Sequence, residues 1–212
     1  LRKDLRVTEK RPSAFGIAVS FVIAIVLSAA PAPPQTTPAA IQELKLELDP
    51  AQSKVHYAVD STLHKVEGTF ALKKGSMVKF DPDSGKASGE VIVLATSGDS
   101  GNSSRDERMH KEILETAKYP DAIFRPTQIE GKVNRNGSSD VKMRGILAIH
   151  GAEHEIVAQV HAEVSGDHWK GTANFDIPYV QWGIKDPSNW LLKVKPVVNV
   201  EIDMSGPASA DR

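Results

Sequence analysis

The chain has 212 residues, 40% hydrophobic and 25% charged, a globular composition that excludes a disordered or collagen-like polymer. With 26 basic and 27 acidic side chains its formal charge is −1, which leaves no basic footprint for nucleic acid and no polybasic patch for anionic lipid. It has no cysteine, so disulfides, a thiolate nucleophile and lipoprotein acylation are excluded and stability must come from a packed core.

Residues 1–30 read as an export signal. Arg2, Lys3, Arg6, Lys10 and Arg11 outnumber Asp4 and Glu9, an apolar run follows from Ala14 to Ala30, and small residues gather at Ser28, Ala30 and Ala32. A basic start, an apolar stretch and a small-residue exit are the three parts of a secretory signal. The run falls a little short of the roughly 20 apolar residues that span a bilayer. Cleavage after Ala30 or Ala32 is the favoured reading, and an uncleaved anchor is the alternative. Either address is periplasmic or otherwise extracytoplasmic. Residues 1–11 carry five basic and two acidic side chains, so without them the charge falls to −4. Residues 31–41 form a Pro/Ala-rich linker that cannot build a core. The folded domain is expected over 42–207, with 208–212 as a tail.

Within the domain the dominant signal is alternation of period two. Val55, Tyr57 and Val59 share one strand face, and Val91 and Val93 alternate with Ile92 and Leu94. Long alternating runs cover Val141–Ile149, Ile156–Val164 and Val198–Met204. Such runs predict an antiparallel sheet with one apolar face. Turn residues punctuate them at Asp49-Pro50, Asp81-Pro82, Asn136-Gly137, Gly151-Ala152 and Gly166-Asp167. Asn136-Gly137 is the strongest hairpin signal of these. Between strands, Arg105–Thr116 predicts one or two short amphipathic helical turns, capped by Ser103 or Ser104 and stopped ahead of Pro120. Strand and turn spacing suit a barrel or a sandwich.

Several strings stand in order along this pattern. They are His64-Lys65-Val66-Glu67-Gly68-Thr69-Phe70, then Asn102 to His110 with its Arg105-Asp106 pair. Lys118-Tyr119-Pro120-Asp121-Ala122-Ile123-Phe124 comes next, then Gly145 to Gly151 leading into His154-Glu155-Ile156, and last Phe175 to Ser188. Together they resemble the YceI family of polyisoprenoid-binding-like exported proteins over residues 46–204. The resemblance implies an all-β, lipocalin-like extended antiparallel barrel of about eight strands with one or two short helices. It also implies carriage or sequestration of a long-chain isoprenoid or fatty lipid in the barrel, with no cofactor and no catalysis.

On that footing Phe70, Ile123, Phe124, Leu147, Ile149, Phe175 and Trp182 are the expected cavity lining. Arg105, His110, His150 and His154 are the expected polar rim or head-group residues. Strand register is open at this stage, and a slip of one residue exchanges inside and outside. Arg105 and Asp106 also have a structural reading, in which they pin the loop and cap the helix. His150 and His154 flank the Gly151-Ala152 turn and are expected to face each other across it. A metal site built from His64, His110, His150 and His154 is the alternative function, as a carrier or hydrolase. Such a site needs three or four converging ligands, and no tight His-Glu-x-x-His spacing is present. Tyr179 to Trp190 reads as an ordered loop over a barrel mouth, with Tyr179, Trp182 and Trp190 seeking burial. No phosphate-binding glycine loop and no Gly-x-Ser-x-Gly elbow is present. Nucleic acid is not an expected partner. A membrane enters only as the source of lipid or through an uncleaved anchor, and a homodimer is left open.

Overall fold

The computed structural model describes residues 43–211, so the signal and linker expected over 1–41 lie outside the described residues. In chain order the strands are β1 (Glu43–Glu47), β2 (Lys54–Asp60), β3 (Lys65–Leu72), β4 (Met77–Phe80), β5 (Ala87–Asp99), β6 (Asp121–Glu130), β7 (Gly137–Ile149), β8 (Ala152–Ser165), β9 (His168–Ile177) and β10 (Val198–Asp211). A short helix, α1 (Ser103–Arg108), and a π-helical turn, Met109–Ile113, connect β5 to β6.

These ten strands form a closed eight-stranded barrel. At one level the ring runs β5, β3, β2, β10, β9, β8, β7, β6 and returns to β5 through Val91–Leu94 against Asp121–Phe124. At the other level β4 and β1 stand between β5 and β10 in place of β3 and β2. The two short pairs share one gap in the wall, one above the other. The long strands β5 and β10 serve both, because each changes partner midway. Closure leaves no free sheet edge among the described residues.

Alternation along each strand decides what fills the barrel. Val141, Met143, Leu147 and Ile149 of β7 point inward, opposite Val160, Ala158, His154 and Ala152 of β8. The end ringed by β1 and β4 is largely filled by side chains. Leu44, Leu46, Val78, Phe80, Val160 and Trp169 are all buried in one cluster there. The Trp169 indole N–H donates to the Glu47 carbonyl at 2.8 Å, so burying that ring leaves no polar atom unpaired.

Three local expectations are corrected. Residues 208–211 are not a tail: they continue β10 and pair with β1, with Ala208 opposite Leu46 and Ala210 opposite Leu44. Gly206-Pro207 reads as a break in sequence, yet Gly206 lets β10 pass close to the chain after β1. A Cβ there would lie 2.1 Å from the Glu47 carbonyl oxygen. Asn136-Gly137 does not form a two-residue hairpin. The β6–β7 connection is the longer segment 131–136, held by the Ser139 hydroxyl accepting the Asn134 N–H at 2.9 Å, and Gly137 already begins β7. The cap of α1 is Asn102, whose side-chain oxygen accepts the Arg105 N–H at 3.0 Å, not Ser103 or Ser104.

Candidate functional site

The end of the barrel ringed by β2 and β3 is hollow. A cavity of about 440 Å³ opens there, with walls that are almost wholly apolar. Val55, Tyr57 and Val59 of β2, Val66 and Phe70 of β3, and Val93 and Ala95 of β5 form one side. Leu147 and Ile149 of β7, Phe175 and Ile177 of β9, and Val198, Val200 and Ile202 of β10 form the other. A smaller cavity of about 100 Å³ lies among the packed residues toward the far end. Val93, Leu147, Phe175 and Ile202 border both and form a waist between them.

Two segments roof the hollow end. The first is the β5–β6 connection, which presents Met109, Ile113 and Leu114 to the cavity. Glu115 ends it in a left-handed conformation (φ 47°), and the Thr116 N–H donates to the His110 carbonyl at 2.9 Å. That terminus, rather than Pro120, stops the helical segment. The second is the β9–β10 loop, residues 178–197, which supplies Tyr179, Ile184, Pro187, Leu192 and Val194. Lys185 reaches Glu112 at 2.7 Å, and Arg108 donates to the Pro187 carbonyl at 3.3 Å, so the two segments are tied across the mouth. The Lys185 ammonium holds the Glu112 carboxyl below its ordinary pKa.

Polar groups at the mouth are mostly engaged with protein. Arg105 lines the cavity, but its guanidinium donates to the Ser100 hydroxyl at 2.7 Å and the Ser100 carbonyl at 2.8 Å. Asp106 accepts from the N–H and hydroxyl of the same Ser100. The pair therefore pins the β5–α1 corner through Ser100, in line with its structural reading. Burial, and then the Asp106 charge, raise the pKa of the Tyr57 phenol, which meets Phe70 at a ring separation of 5.3 Å. Tyr179 is 6% exposed, and burial with the nearby Asp186 charge pushes its phenol up to about 12.

The four histidines do not converge. His64 lies in the β2–β3 turn at the cavity rim. His110 turns from the cavity, with Nε2 3.0 Å from the Gly98 carbonyl. His150 is the first residue of a two-residue β7–β8 turn, His150-Gly151, with φ of 51° and 80°, the left-handed pair that a tight hairpin requires. It lines the mouth and pairs with Glu115 at 3.1 Å. His154 does not face it. It stands opposite Leu147 and stacks on Trp182, rings 4.0 Å apart and 3° from parallel. Among the described residues no group of three or more metal-ligating side chains exists, so the metal alternative is corrected.

Phe70, Leu147, Ile149 and Phe175 line the large cavity, with Arg105 and His150 at its mouth. Phe124 lines only the smaller one. Ile123 is on the outer face, in register with Ile92 and Ala148. Its neighbours Ala122 and Phe124 point inward, the one-residue slip that sequence leaves open. Trp182 is occupied by His154 rather than by the cavity, and Trp190 is 90% exposed. Tyr57 and the β10 residues Val198, Val200 and Ile202 were readable as an apolar strand face, but nothing in their alternation separates a hollow interior from a filled one.

A closed β-barrel, packed at one end and hollow, apolar and roofed at the other, defines a barrel-type binding domain. The family model of the YceI-like domain matches residues 46–205, and the chain belongs to that family. BcnA of Burkholderia cenocepacia has a similar structure, with TM-score 0.62 and 19% identity over 76% of this chain and 99% of that one. A polyisoprenoid binding domain from Saccharophagus degradans, implicated in plant cell wall breakdown, gives 0.60 and 17% over 78% and 98%. The YCEI protein of Campylobacter jejuni gives 0.50 and 21% over 65% and 80%. No curated protein matches the sequence.

Proposed function

We propose that this protein is an extracytoplasmic carrier or store of a long-chain isoprenoid or fatty amphiphile, held in the barrel without chemistry. The observation that carries the reading is the apolar cavity of about 440 Å³. Its size is that of a ligand site, and its walls give a chain apolar contact and almost nothing else. A polyisoprenoid binding domain with the same fold supports the choice of ligand. Affinity comes from burial, at about 0.8 kcal/mol per CH₂ group. Selectivity then follows tail length and the waist at Val93, Leu147, Phe175 and Ile202 more than any single polar contact. Export is proposed on the basic and apolar N-terminus, since residues 1–30 have the order of a secretory signal.

The test is to extract the purified protein with organic solvent and identify what is released by mass spectrometry. It is paired with uptake of a fluorescent fatty acid and a fluorescent prenol by the extracted protein. A long-chain amphiphile close to equimolar with the chain is the expected result. Protein that neither retains nor takes up any such molecule overturns the reading.

A further inference from the structure

Large exposed apolar side chains are unevenly distributed over the barrel. Six are exposed among the described residues, and only Val157 lies on the wall. Leu63, Val180, Trp190, Leu191 and Val197 all belong to the two connections at the hollow end, the β2–β3 turn and the β9–β10 loop. None is at the packed end. Leu63 is 67% exposed, Trp190 90% and Leu191 64%, so these three are not partly covered core residues.

Their placement is fixed by backbone. The Thr62 N–H donates to the Lys193 carbonyl at 2.9 Å, Ser61 bridges to Val194, and the Lys195 N–H donates to the Asp60 carbonyl at 2.8 Å. The β2–β3 turn and the 189–193 turn therefore stand side by side. In the second turn the Asn189 side chain accepts the N–H groups of Leu191 and Leu192 at 2.9 and 2.7 Å. That turn sends Leu192 into the cavity and leaves Trp190 and Leu191 at the tip. Lys193, and Lys195 paired with Asp60 at 2.7 Å, lie just behind the tips.

We propose that these paired tips dock the hollow end of the barrel on a lipid bilayer, with Leu63, Trp190 and Leu191 entering the interface. The proposal rests on the lipid-carrying reading above, because the patch rims the mouth through which an apolar chain must pass. Tryptophan and leucine, backed by lysines that keep their ammonium groups in water, are the residues that favour a membrane–water boundary. A second protein is a poorer occupant. Three side chains, none larger than about 250 Å² and none fully exposed, stay below the roughly 800 Å² that each partner contributes to a standard protein interface. The local charges largely cancel, so entry depends on apolar contact and does not require an anionic surface.

The experiment uses the full chain in phosphatidylcholine vesicles, beside the Trp190→Phe protein and a Leu63→Ser/Trp190→Ser/Leu191→Ser protein. Because the N-terminal apolar run could hold every variant on the vesicle, the readouts are local. One is the emission of Trp190, obtained by subtracting the Trp190→Phe spectrum, and its quenching by brominated phosphatidylcholine. The other is uptake of a self-quenched fluorescent fatty acid from the vesicle, compared with uptake of the same probe from cyclodextrin. Expected are blue-shifted Trp190 emission, quenching by bromine, and uptake from vesicles slowed at least tenfold in the triple variant with cyclodextrin uptake unchanged. Trp190 emission that vesicles do not alter, or equal uptake from vesicles by both proteins, overturns the docking surface. Failure of the unmutated protein to take up probe from cyclodextrin overturns instead the cavity reading, which the Trp190 spectrum does not measure.

Discussion

The two ends of this barrel have the same number of strands and opposite interiors. At the end ringed by β1 and β4, Trp169, Phe80, Leu44 and Leu46 meet Val160 and Val164 in one buried cluster. At the end ringed by β2 and β3, the inward positions are also apolar, but they surround about 440 Å³ of space. The difference lies partly in side-chain size and partly in the roof. The packed end buries an indole and ties it to Glu47. At the hollow end Ala95 and Ala122 stand among the lining residues, and the covering falls to a helical connection and a loop. On the proposed function, stability and binding fall to different ends of one sheet.

The sharpest way to break this comparison is to empty the packed end. Trp169→Ala removes a 5%-exposed ring and its hydrogen bond to Glu47, and is expected to cost about 3–5 kcal/mol in denaturant unfolding. Fluorescent-lipid affinity measured well below the midpoint should stay close to that of the unmutated protein. A loss of affinity with unchanged stability would mean that the two ends do not divide the work in this way.

A second prediction makes the same substitution at each end. Ala158 is 4% exposed and borders only the small cavity. Ala122 borders only the large one, opposite Val93. Ala158→Phe should destabilise by about 1–3 kcal/mol through overpacking. Ala122→Phe has room for its ring, so its melting temperature should move by no more than a few degrees. Its lipid affinity should fall at least tenfold, about 1.4 kcal/mol. Calorimetry and a lipid titration on both proteins read all four values, and the pattern matters more than any single one.

How much of this contrast was legible in the sequence follows from the physics of each element. The strands β7 and β8 were clear, because the long alternating runs Val141–Ile149 and Ile156–Val164 leave little choice of face. Barrel closure and the lining role of Phe70, Leu147, Ile149 and Phe175 came through the family strings. Ile123 failed because Ile92, Ile123 and Ala148 make an apolar stripe on the outer face, and hydrophobicity alone does not distinguish it from the inner one. The end of β10 was hidden by Gly206-Pro207, whose closeness to Glu47 is a tertiary fact. Trp190 failed for a different reason. Its type argued for burial, while the turn that exposes it is held locally by Asn189 and followed by a contact from Lys193 to Thr62, more than a hundred residues away in sequence.

The smallest predicted effect concerns polar accounting at the two ends. The buried indole of Trp169 has its partner, whereas two buried atoms on the roof, Tyr179 Oη and His110 Nδ1, have none among the described residues. An unpaired buried hydroxyl costs stability that a ring of the same shape without it does not. Tyr179→Phe should therefore be neutral or stabilising by about 1 kcal/mol at neutral pH, the reverse of the usual result for truncating a buried side chain. Alkaline titration gives an independent reading. The Tyr179 phenol ionises at about 12 in the folded chain, against its ordinary value of 10.0. Between these values the unfolded chain loses the proton and the folded chain keeps it. The stability associated with the neutral phenol is thus complete below pH 10 and drains away as pH rises toward 12. Tyr179→Phe lacks this loss, so the difference in unfolding free energy between the two proteins should widen across that interval. Parallel curves would show that the Tyr179 hydroxyl is solvated after all, and the roof would then be looser than the packed end by more than its missing hydrogen bonds.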